Sequence, residues 1–166
     1  MPSYEINQFN DNGDNNVYIN NMELDIDVEW IRNIIYNNKE KIKKLLAIFN
    51  KKNKNSNDTD IMEDIEDKNK KNDLETFYDK FIKKYENEMD ILFNFFSNEE
   101  MIEEIEIASE NIRIAIYSIS KSEKLTPKIF NEILQKHTKI LNDNEDKKLM
   151  RLMIFFLYRY CFIGKV

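Results

Sequence analysis

Two side chains in this sequence could attack a substrate or move a proton near neutral pH, His137 and Cys161, and each is the only one of its kind. A histidine base needs a nucleophile beside it and an acid to orient it. No such set accompanies His137, which falls on the apolar side of a predicted helix with Ile129, Phe130, Ile133, Leu134, Ile140 and Leu141. It reads as a core or boundary residue. Cys161 sits in an apolar segment, where the reactive thiolate is disfavoured. One histidine and one cysteine cannot build a zinc site. Glu99, Glu100, Glu103, Glu104 and Glu106 gather at one helix start, without the glycine turns or the second carboxylate group of a cation site, and read as a solvated face. The two glycines, Gly13 and Gly164, lie near the termini, so no phosphate-cradling loop is present. The expectation is a protein that is not an enzyme and that carries no metal and no cofactor.

Composition narrows the class further. The 166 residues fit one domain with a real core. Two glycines and two prolines suit long helices better than a turn-rich β fold. Isoleucine, lysine and asparagine dominate, which reads as the codon bias of an AT-rich genome. Net charge is −6 with both signs intermixed, so nucleic acid and anionic membranes lose their main driving force. Lys39, Lys41, Lys43 and Lys44 form a local run read as a solvated helix face. A single cysteine excludes an intrachain disulfide and fits a reducing compartment. No secretory signal is visible over 1–21, so the sequon Asn57-Asp58-Thr59 carries no meaning and cytosolic residence is expected.

The elements that must position these residues are helical. Residues 1–22, mostly Asn, Asp and Gln, are expected to form a mobile arm. Residues 23–166 form a single helical-bundle domain. Its first helix runs from Asp27, a predicted N-cap, to Asn50, with Trp30, Ile31, Ile34, Ile35, Ile42, Leu45, Leu46 and Phe49 in the 3.6-residue rhythm. Residues 51–72 form a polar, flexible loop with at most one helical turn at 60–66. A helix over 73–97, capped by Asp73, places Leu74, Phe77, Tyr78, Phe81, Tyr85, Met89, Leu92, Phe93 and Phe96 on one face. Ser97 and Glu100 match a capping box for a helix over 98–119. That helix has Ile112, Ile114, Ala115, Ile116 and Ile119 on almost every side, so it is predicted to be central. Thr126-Pro127 starts the next helix, to about Asn142. The last runs from Glu145 to about Cys161. Its seven-residue apolar run at 152–158, flanked by Arg151 and Arg159, is too short to span a membrane and reads as core.

The aromatic helix, through Tyr85, Met89, Leu92 and Phe93, resembles the second helix of the apoptosis-blocking poxvirus Bcl-2-like proteins. Ile112-Arg113-Ile114-Ala115 resembles the start of that family's buried central helix, and Thr126–Leu141 resembles a later one more loosely. The similarity covers roughly residues 73–141. It implies an all-α, Bcl-2-like bundle around a buried central helix, acting in the host cell cytoplasm. The hydrophobic C-terminal tail of the anchored members is missing, so no transmembrane anchor is expected.

The function implied by the resemblance is inhibition of host apoptosis by capture of an amphipathic death-motif helix in a groove. Tyr85, Met89, Phe93, Ile112, Ala115 and Ile116 would line that groove, and Arg113 would pair with a ligand aspartate. Other soluble members, often homodimers, block innate immune signalling such as NF-κB activation, which is the second reading. A helical adaptor with no viral link is the third. In each case the partner is a protein.

Overall fold

The computed structural model describes residues 26–49, 64–160 and 162–164. The predicted N-terminal arm, residues 51–63 of the predicted loop, the sequon and Cys161 lie outside the described residues. Every regular element among the described residues is helical, so the all-α class stands.

Helix α1 spans Val28–Phe49, with a kink at Asn38 (φ −152°, ψ 50°). Asp27 caps it as expected: its Oδ1 accepts the Trp30 N–H at 2.8 Å. Helix α2, Ile65–Lys71, starts at Asp64, whose carboxylate accepts the Glu66 N–H. This helix corrects the last third of the predicted 51–72 loop, because it buries Lys68, Asn69 and Asn72. Lys68 is fully covered: its ammonium donates to the Tyr158 carbonyl at 2.5 Å and sits 4.2 Å from the centre of the Tyr158 ring. The Tyr158 hydroxyl donates to Asn69 at 2.8 Å, and Asn72 accepts the Leu125 N–H at 2.7 Å. A segment with few apolar anchors is therefore held by buried hydrogen bonds, a source of order that periodicity does not reveal.

The predicted helix over 73–97 is one rod in four pieces. These are a single turn α3 (Glu75–Phe77), a wide π turn (Tyr78–Ile82), a tight 3-10 turn (Lys83–Tyr85) and helix α4 (Glu86–Asn98). Widening and then tightening the backbone shifts the phase of the inward face. Ile82 and Phe95, outside the expected stripe, are buried, while Phe81 and Phe93, within it, are only partly covered.

Helix α5 is Ile102–Ser120, α6 is Pro127–Thr138 and α7 is Asn144–Arg159. Thr126 caps α6 with Pro127 in its first turn, as expected. The other predicted caps differ. Asp73 (φ 56°) precedes the rod in a left-handed conformation and pairs with Lys124 at 2.6 Å. Ser97 belongs to the last turn of α4, where its carbonyl accepts the Glu100 N–H, and Met101 N–H reaches back to Phe96 O at 2.9 Å. That pattern closes a helix, so Ser97 and Glu100 stop α4 and do not start α5.

Helix α7 is the centre of the bundle. From Leu149 to Tyr158 every side chain but Arg151 is buried. Helices α1, α4 and α6 all pack on it. Phe156 meets Phe96 (5.3 Å between ring centres), and Phe155 meets Phe130 (5.9 Å) and Tyr85 (6.4 Å). The expectation that α5 is central is corrected. Helix α5 lies against α1 and α6 and leaves Ile114, Tyr117 and Ile119 exposed. It keeps an outward side that water accepts, whereas the apolar run of α7 has none.

Two stability predictions follow from this packing. Phe155→Ala should cost about 3–5 kcal/mol in urea unfolding, the range for a large aromatic removed from a closed core. Glu100 holds a left-handed conformation (φ 56°) at a helix end, where glycine carries no Cβ penalty. Glu100→Gly should therefore raise stability by about 0.5–1 kcal/mol in the same assay.

Candidate protein-interaction surface

Helix α5 has two faces of opposite character. Ile105, Ala108, Ile112 and Ile116 are buried toward the bundle. The opposite side carries, in order, Glu103, Ile107, Glu110, Ile114, Tyr117 and Lys121, at steps of three and four that stack them along one line. Ile114 is 49% exposed and Tyr117 56%. Ile114 and Tyr117 thus stand one turn apart as exposed apolar side chains among charged neighbours on this side of α5. This line could have been read from the spacing alone. It was hidden because the isoleucines at 112, 114, 116 and 119 together look like a helix buried all round.

The residues assigned to a groove lie elsewhere and do not form one. Met89, Ile112 and Ile116 are core residues, and Tyr85 stacks on Phe155. Phe93 stacks on Tyr160 (4.7 Å), with Phe156 beside it (6.4 Å), so α7 and the turn after it cover the aromatic rod. Ala115 packs on the core from the half-exposed flank of α5. Arg113 is turned back on its own chain: it donates to the Phe162 carbonyl and pairs with Glu110 at 3.4 Å. A guanidinium engaged by a backbone carbonyl and a carboxylate is not poised for a ligand aspartate.

The charged residues fasten helices to one another. Lys41 lies 2.9 Å from both Glu145 and Asp146 and 3.4 Å from Asp143. Its hydrogen bond to Glu145 leads in raising it above the ordinary lysine value, against the cost of burial. Lys43 and Lys39 both reach Glu99, at 3.2 and 3.5 Å, and the Lys43 hydrogen bond leads in lowering Glu99 below the ordinary carboxylate value. The lysine run thus joins α1 to the α4 end and the α7 start, where solvated side chains were expected. Of the acidic group, Glu103 and Glu104 stay exposed, and no cluster able to hold a metal ion occurs among the described residues.

A second polar knot sits over the π turn. Arg159 donates to Glu86 at 2.8 Å and to the Tyr78 hydroxyl at 3.1 Å, while Tyr78 donates to the same Glu86 oxygen at 2.8 Å. Tyr160 donates to Asp90, and burial followed by that carboxylate pushes its hydroxyl up to about 12. These contacts tie the end of α7 to the irregular part of the rod. His137 is partly buried on α6, with Nδ1 2.8 Å from the Ile133 carbonyl, as a boundary residue would be.

A family model described as C-terminal domain 12 of the ABC-three component (ABC-3C) systems matches residues 20–164. No curated protein and no solved structure matches the chain. The family match overturns the resemblance to poxvirus Bcl-2-like proteins. With it go inhibition of apoptosis, inhibition of NF-κB signalling and the host-cell setting. The covered rod and the engaged Arg113 give the physical counterpart: both supposed motifs serve internal packing. No described helix is long and apolar enough to cross a membrane.

Burial lowers His137 below the ordinary value of 6.5, with Lys136 adding to the effect and the Ile133 hydrogen bond opposing it. The unfolded chain therefore binds this proton more readily than the folded one. Its contribution to stability is complete above pH 6.5 and declines as the pH falls below that value. The lowered Glu99 acts only below the ordinary carboxylate value of 4.5, outside that window. Urea midpoints at about pH 7.5 and about pH 5.5 should fall with acid in the native sequence and fall less in His137→Gln. Equal losses would assign the acid sensitivity to other groups.

Proposed function

Because the chain belongs to the CTD12 family, the C-terminal domain 12 of the ABC-three component systems, we propose that it is a non-enzymatic docking domain of such a system. ABC-3C systems serve bacterial antiphage defence, and the domain acts there by protein–protein contact with other parts of the assembly. The observation that carries this reading is the outward line of α5, where Ile114 and Tyr117 stand exposed on a helix whose other side is core. A chain that closes its apolar interior around α7 gains nothing in stability from a tyrosine and an isoleucine in water. They favour a partner that removes them from it.

The chemistry of the chain supports binding over catalysis. His137 is engaged by a backbone carbonyl, Arg113 by Phe162 and Glu110, and Lys41 and Lys43 of α1 by Glu145 and Glu99. These groups hold structure and leave no assembled set for acyl or phosphoryl transfer among the described residues. The partners that fit are the other ABC-3C components.

The test is co-expression of the chain with the other components of its system, followed by affinity purification. Replacing Ile114 and Tyr117 together by Asp should cut recovery of the partners at least about tenfold, since apolar anchors at the centre of an interface are each worth 1.4 kcal/mol or more. The melting temperature should stay within about 3 °C of the native value, as expected for exposed positions. Unchanged recovery would remove α5 as the docking surface.

A further inference from the structure

Helices α5 and α6 line between them a cavity of about 400 Å³ whose polar walls are uncommitted. Ile119 of α5 forms one side, and Asn131, Glu132, Gln135, Lys136 and Lys139, along α6 and at its end, form the other. None of these five polar side chains makes a hydrogen bond or an ion pair with another described residue. Asn131 is the telling one, because it is only 3% exposed. A buried amide takes hydrogen bonds from somewhere, and here its partners come from the contents of the cavity. The larger cavity beside Asn38, Leu45 and Leu141, about 570 Å³, differs in this respect. Its Lys41 and Asp146 already satisfy each other at 2.9 Å.

Asn131, Gln135 and Lys139 follow one another at steps of four, so they lie in a row along α6. Each step advances about 6 Å. Two residues of extended chain advance about 6.7 Å, so a strand-like peptide beside α6 offers same-edge main-chain groups at nearly that spacing. A primary amide carries both a donor and an acceptor, and it can pair with a peptide N–H or C=O whatever the side chains are. Lys136 and Lys139 add ammonium groups toward one end of the row, and Glu132 a carboxylate near the other. Two cations against one anion leave the groove positive, on a chain whose net charge is −6. We propose that this cavity binds an extended, acidic peptide segment of another polypeptide. Asn131 and Gln135 read its main chain, Lys136 and Lys139 take its carboxylates, and Ile119 packs against it from α5. The site is separate from the outward line of α5, since Ile119 lies about 200° around the helix from Tyr117. It stands whether or not Ile114 and Tyr117 dock a partner. So small a contact is weak, and a dissociation constant of about 10–500 µM is expected.

Fluorescence anisotropy of the purified full chain tests this with a labelled octapeptide of alternating Asp and Ser, blocked at both ends. Blocking removes the terminal charges, so binding reads the side-chain carboxylates alone. The peptide should bind saturably in that range, and more weakly as salt is added. The same peptide with Asn for Asp should bind at least about tenfold more weakly, a comparison made on the unaltered chain. The acidic peptide should lose as much on the Lys136→Glu/Lys139→Glu variant. Asn131→Leu nearly keeps the volume of the side chain and removes its amide. It should weaken binding at least about fivefold while the melting temperature holds or rises, because the amide has no partner in the protein to lose. A fall in melting temperature with binding unchanged would make Asn131 structural and overturn its role. No binding at about 1 mM chain overturns the site, that concentration lying above the expected range. So does equal binding of the two peptides, or binding undiminished in the lysine variant. A single-stranded oligonucleotide that binds more tightly than the peptide, and loses affinity in the same variant, overturns a peptide as the ligand.

Discussion

Helix α7 needs cover on all sides, and the rest of the bundle is arranged to supply it. Its buried run includes Leu152, Met153, Phe155, Phe156 and Leu157, each worth about 1.5–3 kcal/mol in water-free surroundings. No single neighbour can shield a helix around its full circumference. Helices α1, α4 and α6 therefore converge on it, and the aromatic rings of Phe96, Phe130 and Tyr85 close against Phe155 and Phe156. The short turn after α7 folds back as well, and buries Ile163.

Polar contacts decide the orientation that this apolar demand leaves free. Dispersion and desolvation favour compactness without fixing the angle between two helices, whereas hydrogen bonds and ion pairs hold only in one arrangement. Lys41 of α1 holds Glu145 at the start of α7, and Arg159 at its end holds Tyr78 of the π turn and Glu86 of α4, so both ends of α7 are fixed. Lys68 and Tyr158 lock α2 over the same end. A fully covered lysine is tolerable only because its donors find acceptors and a ring face. These contacts account for order in α2, which has little apolar surface of its own.

Once α7 takes the centre, α5 is left at the edge with one side in water. That placement turns four isoleucines, which look equivalent in sequence, into two groups with different roles. Ile112 and Ile116 contribute to the core, while Ile107 and Ile114 stand on the outward line with Tyr117. The family to which the chain belongs is described as a C-terminal domain of the ABC-three component systems.

Much of this architecture is legible in the residues themselves. The scarcity of glycine and proline, the 3.6-residue spacing in α1, α6 and α7, and the caps at Asp27 and Thr126 act through neighbours in the chain. They determine an all-α protein with those helix starts. Other features depend on contacts between residues far apart. Whether 112–119 or 149–158 forms the centre is a competition between two apolar helices, settled by which one has a side that water accepts. The break in the rod at Tyr78–Tyr85 answers to Arg159, more than seventy residues away. The order of Lys68 answers to Tyr158, and the commitment of Arg113 answers to Phe162. Local spacing carries no information about these partners, because a hydrogen bond or a buried face exists only once the chain has brought both sides together.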